Sequence, residues 1–302
     1  NVVSGEKSLD KKHLKKETEM SENLDLPEMR YAYAKSTFTI NGNDHIVISG
    51  GISNNSDKLS SVIYLDVNNP ISGWQSFPDM PEGRWVHSMH TVTINGSDHI
   101  VMSGGKDDNF NKLSSVIYLD VNNPSAGWQS FPDMPETRFN HGMSTVTING
   151  NEHIVVSGGT GNNNNELSSV IYLDVNNPSA GWQSFPDMPE RRWAHAMFTV
   201  MINGHQYIIV SGGWDGRNKL SSVIYLDVNN PTEGWQSFPD MPEGRWFHDM
   251  STATIKGNDY IIVSGGLDNN FSTLLSVIYL DVKDPISGWQ SFPDMPEGRD
   301  RH

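Results

Sequence analysis

The octapeptide Trp-Gln-Ser-Phe-Pro-Asp-Met-Pro occurs five times in this chain of 302 residues, and the residues between its copies recur as well. Its tryptophans are spaced by 54, 54, 53 and 54 residues along the sequence. A period of about 50 residues is typical of β-propeller blades, whereas the units of helical solenoids are usually shorter. Because each unit of such an array buries its apolar face against its neighbours, the five copies are expected to form one domain.

The second unit contains four short segments with the sequence pattern of strands. Polar and apolar side chains alternate in the first segment, which ends at Asn95-Gly96, a dipeptide that favours a tight type I′ hairpin. The third segment ends at Asn122-Asn123-Pro124, because proline lacks the N–H that a continuing ladder needs. Four antiparallel strands per unit predict an all-β propeller with four-stranded blades. The predicted strands of this unit are residues 88–94, 99–103, 116–121 and 128–131.

Each unit also carries a spaced set of residues that resembles a known repeat. A double glycine follows an apolar strand, a tyrosine precedes a tryptophan by ten residues, and a Met-Pro-x-x-Arg segment comes next. This set resembles the kelch repeat over residues 30–298. The resemblance implies a β-propeller, commonly of six or seven blades, that serves mostly as a protein-binding platform and occasionally as an enzyme scaffold. The residues expected to build the repeats are Gly50, Gly51, Tyr64, Trp74, Gly104, Gly105, Tyr118, Trp128, Gly158, Gly159, Tyr172, Trp182, Gly212, Gly213, Tyr225, Trp235, Gly265, Gly266, Tyr279 and Trp289.

The number of blades that close the ring is left open by the sequence. Val2-Val3-Ser4-Gly5 resembles the end of a second strand, and Leu26-Pro27-Glu28-Met29 resembles the end of a fourth. Residues 1–29 are therefore expected either to complete a sixth blade or to form a charged tail, since Lys11 to Glu17 is rich in lysine. A fragment of a longer array is the third alternative. The complete units are 30–83, 84–137, 138–191, 192–244 and 245–298, and a truncated sixth begins at 299–302.

The charge of the chain narrows the range of partners. Its 21 Lys and Arg residues against 36 Asp and Glu give a net charge of −15, which repels phosphate backbones and anionic lipids. Nucleic acid and membranes are therefore not expected as partners, and a basic protein is favoured. Cysteine is absent, which excludes disulfides, thiolate metal sites and cysteine nucleophiles. The sequence shows no targeting pattern and no apolar run of about 20 residues, and it therefore does not indicate the cellular compartment.

Candidate binding residues lie where the nearly identical units differ from one another. The variable loops after the double glycines are residues 52–58, 106–112, 160–166, 214–219 and 267–273. The kelch resemblance implies that these loops share one face with the connections between blades and contact the partner there. Trp and Arg are common at binding hot spots, whereas Asn and Asp often serve turn geometry alone. The predicted partner-binding residues are Trp214, Asp215, Arg217, Lys106, Asp108, Phe110 and Phe271.

A histidine recurs three residues after the arginine that opens each unit from the second to the fifth: His87, His141, His195 and His248. Neutral histidine is a common metal ligand. One histidine per blade, however, places these side chains around a channel and too far apart to share an ion. We therefore expect each arginine and histidine to bind backbone at a blade junction, with no metal and no cofactor.

The motifs of common catalytic sites are missing from the sequence. It shows no Ser-His-Asp order, phosphate-binding glycine loop or His-Glu-x-x-His segment. The preferred hypothesis is a non-enzymatic module that binds a protein or peptide. The alternative is a carbohydrate-binding or sugar epimerase-like propeller, because aromatic, Asn and Asp side chains suit sugars, and a purely architectural role is the third. The copper oxidases among kelch-like proteins use a cysteine-modified tyrosine, which this chain cannot form.

Overall fold

The computed structural model of the chain describes residues 25–202, 204–255 and 258–300. Within these ranges the chain forms five four-stranded antiparallel sheets, and the strands of each sheet neighbour one another in chain order. The described residues contain no α-helix, and one 3-10 turn joins the third and fourth strands of each blade. The predicted all-β propeller with five complete blades is thus confirmed. The prediction of a partial sixth blade falls on residues 1–29 and 299–302; residues 1–24 and 301–302 lie outside the described residues, and residues 25–29 and 299–300 form no strand.

The strands of the five blades have nearly identical bounds. Blade 1 is preceded by β1 (Arg30–Tyr31) and contains β2 (Ala34–Ile40), β3 (Asn43–Ser49), β5 (Val62–Asp66) and β6 (Gln75–Phe77), while β4 (Ile52–Ser53) pairs with β1 in a separate two-stranded sheet. Blade 2 contains β7 (Ser88–Ile94), β8 (Ser97–Ser103), β9 (Val116–Asp120) and β10 (Gln129–Phe131). Blade 3 contains β11 (Gly142–Ile148), β12 (Asn151–Ser157), β13 (Val170–Asp174) and β14 (Gln183–Phe185). Blade 4 contains β15 (Ala196–Ile202), β16 (His205–Ser211), β17 (Val223–Asp227) and β18 (Gln236–Phe238). Blade 5 contains β19 (Asp249–Ile255), β20 (Asn258–Ser264), β21 (Val277–Asp281) and β22 (Gln290–Ser291).

The apolar core lies between successive blades and is fixed by the repeat residues. In the cluster between blades 1 and 2, Phe38 and Val47 pack with Ile100 and Leu119, and the partly buried Trp128 covers them. The indole N–H of Trp128 also donates to the carbonyl oxygen of Pro78 in the preceding unit, at 3.0 Å. The same bond joins Trp182 to Pro132, Trp235 to Pro186 and Trp289 to Pro239. Each of these tryptophans therefore contributes to packing between blades and to the spacing of the ring.

The second strand of each blade ends at a double glycine because the next unit approaches its backbone closely. Gly104 has a φ of 57°, and a Cβ atom there would collide with the carbonyl oxygen of Arg138. That carbonyl accepts a hydrogen bond from the N–H of Gly105 at 2.8 Å. The glycine pair thus joins consecutive blades through their backbones.

Replacing Gly104 with alanine is expected to cost about 3 kcal/mol or more, since the added methyl group must displace backbone as well as adopt a positive φ. Gly96 provides the matched control, because its φ is also positive, at 81°, but no atom lies within 4 Å of a Cβ there. Gly96→Ala should cost only about 1 kcal/mol. Urea unfolding of the two variants measures the difference, and equal losses would contradict the proposed close approach.

Side chains at the start of the second strand bridge neighbouring blades. Glu152 accepts a hydrogen bond from the backbone N–H of Thr93 at 2.6 Å, and Gln206 does the same for Thr147 at 2.7 Å. In each case the N–H group belongs to the first strand of the preceding blade, whose inner edge pairs with no other strand, and the hydrogen bond satisfies this group. Burial raises the pKa of Glu152, although the hydrogen bond from Thr93 opposes the shift.

Glu152→Gln is expected to stabilise the protein near pH 7, because glutamine keeps the bond that Gln206 makes and removes a partly buried charge. The raised pKa means that ionised Glu152 costs stability above its unfolded pKa, whereas the protonated form does not. The gain, about 1–2 °C in Tm, should therefore shrink as the pH falls towards the unfolded value. Thermal unfolding between pH 4 and pH 8 tests the prediction, and a gain independent of pH would contradict it.

An ion pair between two residues that break the repeat joins blades 5 and 1. The Nζ atom of Lys35 lies 2.6 Å from a carboxylate oxygen of Asp249, and both side chains are partly exposed. The other units have methionine at the position of Lys35 and Ser, Gly or Ala at that of Asp249. Both residues lie on the first strands of their blades, so that this ion pair links the first and the last described blade.

Candidate functional site

The two regions singled out in the sequence meet at one end of the propeller. In blade 2, Trp85 and Lys106 exchange backbone hydrogen bonds of 3.2 and 3.0 Å, which fastens the variable loop to the connection between blades. The same backbone bridge joins the corresponding residues in blades 3, 4 and 5. We call this end the loop face and define it by residues 52–58, 106–112, 160–166, 214–219 and 267–273 with the aromatic residue that follows each unit-opening arginine.

The unit-opening arginines lie beneath the loop face, and their guanidinium groups bind the backbone of their own blades. Arg192 is fully buried, and its guanidinium donates to the carbonyl oxygens of Gly212 and Ser222 at 2.9 and 3.1 Å. It also donates to the Ser222 hydroxyl and to the carboxylate of Glu190. Burial lowers the pKa of Arg192 to about 10, so that the side chain stays charged at neutral pH. The predicted backbone contacts of these arginines are confirmed.

The recurring histidines differ from the prediction in their main partner. The Nε2 atom of His195 lies 2.8 Å from the Ser157 hydroxyl of the preceding blade, and the other three histidines make the equivalent bond at 2.7–2.8 Å. A side-chain hydroxyl therefore replaces the expected backbone group, because the second strand of every blade ends in serine. Burial, with a contribution from Arg192, lowers the pKa of His195 to about 3, and burial does the same for His87. These imidazoles are neutral near pH 7.

A cavity of about 190 Å³ lies on the propeller axis among the connections between blades. Val86, Asn140 and Ala194 line it and have φ values of 51–52°. Their backbones form a chain around the axis, because each of these N–H groups donates to the preceding unit's carbonyl oxygen at 2.8–3.0 Å. The four histidines complete the lining, and no carboxylate of the described residues belongs to it.

Trp214 lies within an aromatic cluster between blades 4 and 5 and is half-buried. Its ring stacks on Trp193 at 6.0 Å and meets Trp246 edge-on at 5.0 Å. The Nζ atom of Lys219 lies 5.4 Å from its ring centre. Trp214 was expected to be an exposed binding residue, but it mainly packs against the neighbouring tryptophans. Its accessible part borders Phe271, and the centres of the two rings are 6.0 Å apart.

Phe110 and Phe271 are the most exposed predicted aromatic residues, each with 60% of its surface accessible. They occupy equivalent loop positions in blades 2 and 5 and have φ values of 63° and 62°. A lysine of the preceding loop covers one side of each ring: Lys219 lies 3.6 Å from Phe271, and Lys58 lies 4.7 Å from Phe110. Such contacts between a cation and a ring orient both side chains.

The remaining predicted residues have different surroundings. Arg217 and Asp108 are exposed on the loops, whereas Asp215 accepts the backbone N–H groups of Arg217 and Asn218 and so shapes its turn. Burial opposes the shift, but together those hydrogen bonds outweigh it and lower the pKa of Asp215. Lys106 is half-buried, with Nζ 4.0 Å from the Phe139 ring, and burial lowers its pKa.

Sequence analysis missed four residues that complete this surface: Trp193, Trp246, Lys58 and Lys219. The two tryptophans follow unit-opening arginines. The lysines end their loops, and their contacts with the next loop depend on how consecutive blades pack against each other. Comparing the last loop position across units, which is lysine in three of five, could have indicated a shared contact.

Metal and membrane features are not apparent in the described part of the chain. No group of three or more His, Asp or Glu side chains there is arranged to hold a metal ion. No helix among the described residues is long and apolar enough to cross a membrane.

Known proteins resemble the chain in its repeat region. Residues 89–302 match the profile of the KLHDC2/KLHL20/DRC7 Kelch-repeats domain. An adagio-like protein 1 of Oryza sativa is 27% identical over 203 residues, which cover 64% of this chain and 31% of that protein. The kelch-like protein terF of Aspergillus terreus is 25% identical, over 74% of this chain and 47% of its own length. An F-box/kelch-repeat protein of Arabidopsis thaliana is 25% identical, over 82% of this chain and 54% of its own length. The matched regions thus span about a third to a half of these relatives.

Proposed function

Because this chain belongs to the kelch-repeat family, we propose that it is a protein-binding module that holds a protein or peptide against its loop face. Propellers of this family typically serve as interaction modules. The proposal assigns the contact to Phe110, Phe271 and Arg217, with the cluster around Trp214 beneath them. It includes no catalytic step.

The observation that carries the proposal is the backbone conformation of the two exposed phenylalanines. A positive φ costs a bulky side chain about 1 kcal/mol, whereas asparagine tolerates it. The corresponding residues of blades 1 and 3 are Ser56 and Asn164, which have φ values of 69° and 55°. At 60% exposure, Phe110 and Phe271 recover little of this cost by burial within the chain. Contact with a partner would bury both rings and account for phenylalanine at these positions.

The surroundings of the two rings suit a partner with apolar side chains. Phe271 and the accessible part of Trp214 form a continuous aromatic surface, and Lys219 lies beside it. Burial of aromatic rings at the centre of an interface is the usual source of binding energy. Exposed Arg217 lies on the neighbouring loop and supplies donors for carbonyl or carboxylate groups. The net charge of −15 would speed the approach of a basic protein at low salt.

The test begins with affinity capture from native extract on the immobilised chain, followed by affinity measurements with each purified candidate. Arg217→Ala should weaken binding about 10-fold, since truncation of an interface arginine often costs more than 1 kcal/mol. Lys283→Ala is the matched control, because Lys283 is exposed at the opposite end of the propeller. Equal affinities of the two variants would contradict the assignment of Arg217. Binding to a glycan panel without any protein partner would favour the carbohydrate alternative.

A further inference from the structure

The ammonium group of Lys219 is enclosed by three aromatic rings on the loop face. Its Nζ atom lies 3.6 Å from the ring centre of Phe271, 5.4 Å from that of Trp214 and 5.9 Å from that of Trp246. The same atom donates a hydrogen bond of 2.8 Å to the carbonyl oxygen of Asn269. We call the three rings and this carbonyl group the aromatic cage. Aromatic rings attract a cation in this position because their faces carry partial negative charge.

The aromatic cage is specific to the contact between blades 4 and 5. Its rings come from three different repeat positions: Trp214 opens the variable loop of blade 4, Trp246 follows the arginine that opens the fifth unit, and Phe271 lies in the variable loop of blade 5. The other units have isoleucine, lysine, threonine or leucine at the position of Trp214. The other three lysines of the loop face have such contacts with at most two rings each. Lys219 is thus the lysine of this face with the most aromatic surroundings.

The cage is firmly packed at its base and open to solvent on one side. Trp246 is 6% exposed and meets Trp193 edge-on, with ring centres 5.0 Å apart. Trp214 and Lys219 are half-buried, whereas Phe271 is 60% exposed. A side chain of a partner can therefore reach the position of the Lys219 ammonium from the solvent while the tryptophans stay in place.

The cage holds its cation without a counter-charge. In the described part of the chain the Lys219 ammonium makes no ion pair, and its hydrogen-bond acceptor is the carbonyl oxygen of Asn269. An unmodified ammonium is strongly hydrated, so that removing its water is costly. N-methyl groups weaken this hydration and pack against the rings, and aromatic cages accordingly bind methylated ammonium groups. The site therefore suits a methylated cation better than the lysine that fills it.

We propose that the aromatic cage binds a dimethylated lysine side chain of a protein partner, which displaces Lys219. The proposal rests on the loop face as the binding surface and names the group that this face recognises. Dimethyllysine is favoured because its two methyl groups contact the rings while its one N–H donates to the carbonyl oxygen of Asn269. Trimethyllysine has no N–H for this oxygen, and unmodified lysine offers nothing that Lys219 does not already supply.

Lys219 acts as a built-in competitor for the cage. While its ammonium lies there, only the minor population with an open cage accepts a ligand, and the apparent affinity is reduced in proportion to that population. A group that binds the rings no better than an ammonium does not displace it. Lys219 therefore excludes the unmodified lysines of other proteins, which the net charge of −15 would otherwise attract.

Titration of the full chain with capped Nε,Nε-dimethyllysine tests the proposal without a protein partner. The indole N–H signals of Trp214 and Trp246 in NMR spectra report binding at the cage. Lys219→Ala should bind this probe at least about 10-fold more tightly than the parent, because the competitor is removed. Lys58→Ala is the matched control and should leave the affinity unchanged, since Lys58 ends the corresponding loop of blade 1 and lies against the ring of Phe110 alone.

A second comparison tests what the cage selects. In the Lys219→Ala background, capped dimethyllysine should bind at least about 5-fold more tightly than capped lysine or uncharged capped norleucine. Adding Phe271→Asn should remove this preference and keep the fold, because asparagine adopts the positive φ of this loop position in blade 3.

No gain in affinity on Lys219→Ala, or equal affinities for dimethyllysine and norleucine, would overturn the proposal. Tighter binding of capped trimethyllysine or of choline would assign the cage to a quaternary ammonium group and overturn the choice of dimethyllysine. Because the probes need no protein partner, this failure is distinct from failure of the loop face. Partner binding that persists when the cage shows no preference would overturn the cage and leave the loop face as the binding surface.

Discussion

Replacing Phe110 and Phe271 together by asparagine is expected to abolish partner binding while the protein stays folded. Asparagine adopts the positive φ of this loop position, as Asn164 does in blade 3. The relief of backbone strain should offset the lost ring contacts, so that the free energy of unfolding changes by less than about 1 kcal/mol. Loss of two exposed aromatic contacts should weaken binding by at least about 30-fold.

The measurement pairs thermal unfolding with the affinity for the captured partner. Ser56→Asn serves as the control, since it makes the same kind of change at the corresponding position of blade 1 without removing a ring. It should leave both stability and affinity unchanged. A double variant that is folded and binds as tightly as the parent would show that the phenylalanines are not part of the interface.

Arg192→Met is expected to cause the largest loss of stability among single substitutions at the blade junctions. The change removes the guanidinium donor of the buried Gly212 carbonyl oxygen, at 2.9 Å, and one of the two donors of the Ser222 carbonyl oxygen, which keeps the N–H of Gly212. The backbone of Arg192 also receives the N–H of Gly159, so that the residue joins two blades. Breaking a buried, hydrogen-bonded charged group typically costs about 3–5 kcal/mol.

The adjacent Arg191 is an exposed residue of the same type and provides the control. Arg191→Met should change the free energy of unfolding by less than about 0.5 kcal/mol. Urea unfolding followed by tryptophan fluorescence compares the two variants. If both substitutions lowered the free energy of unfolding by a similarly small amount, the buried guanidinium would not be what stabilises this part of the blade.

Local sequence signals were sufficient to predict the blades because the determining residues are close in the chain. Asn95-Gly96 forms the predicted hairpin with positive φ at both residues, and the predicted strands match the observed ones within a few residues. Because the chain contains five copies of one unit, each of these predictions applies at several places in the sequence.

Contacts between blades could not be predicted in this way. Trp214 is variable and aromatic, which suggested an exposed anchor, but Trp193 and Trp246 bury much of it. The left-handed backbone of Val86 has no sequence signal, because valine rarely adopts a positive φ and only the surrounding ring imposes it. Lys35 and Asp249 both depart from the repeat and were visible as exceptions, yet their pairing requires blades 5 and 1 to be neighbours.

Hydrogen exchange of the chain, with and without a purified partner, tests the central claim most directly. Binding at the loop face should slow exchange in residues 106–112 and 267–273 and leave the hairpins at the opposite end, such as residues 94–97, unchanged. The same protection should be missing when the Phe110 and Phe271 double variant is mixed with the partner. Protection confined to the hairpin end, or to the contact between blades 5 and 1, would contradict the proposal that the loop face is the binding surface.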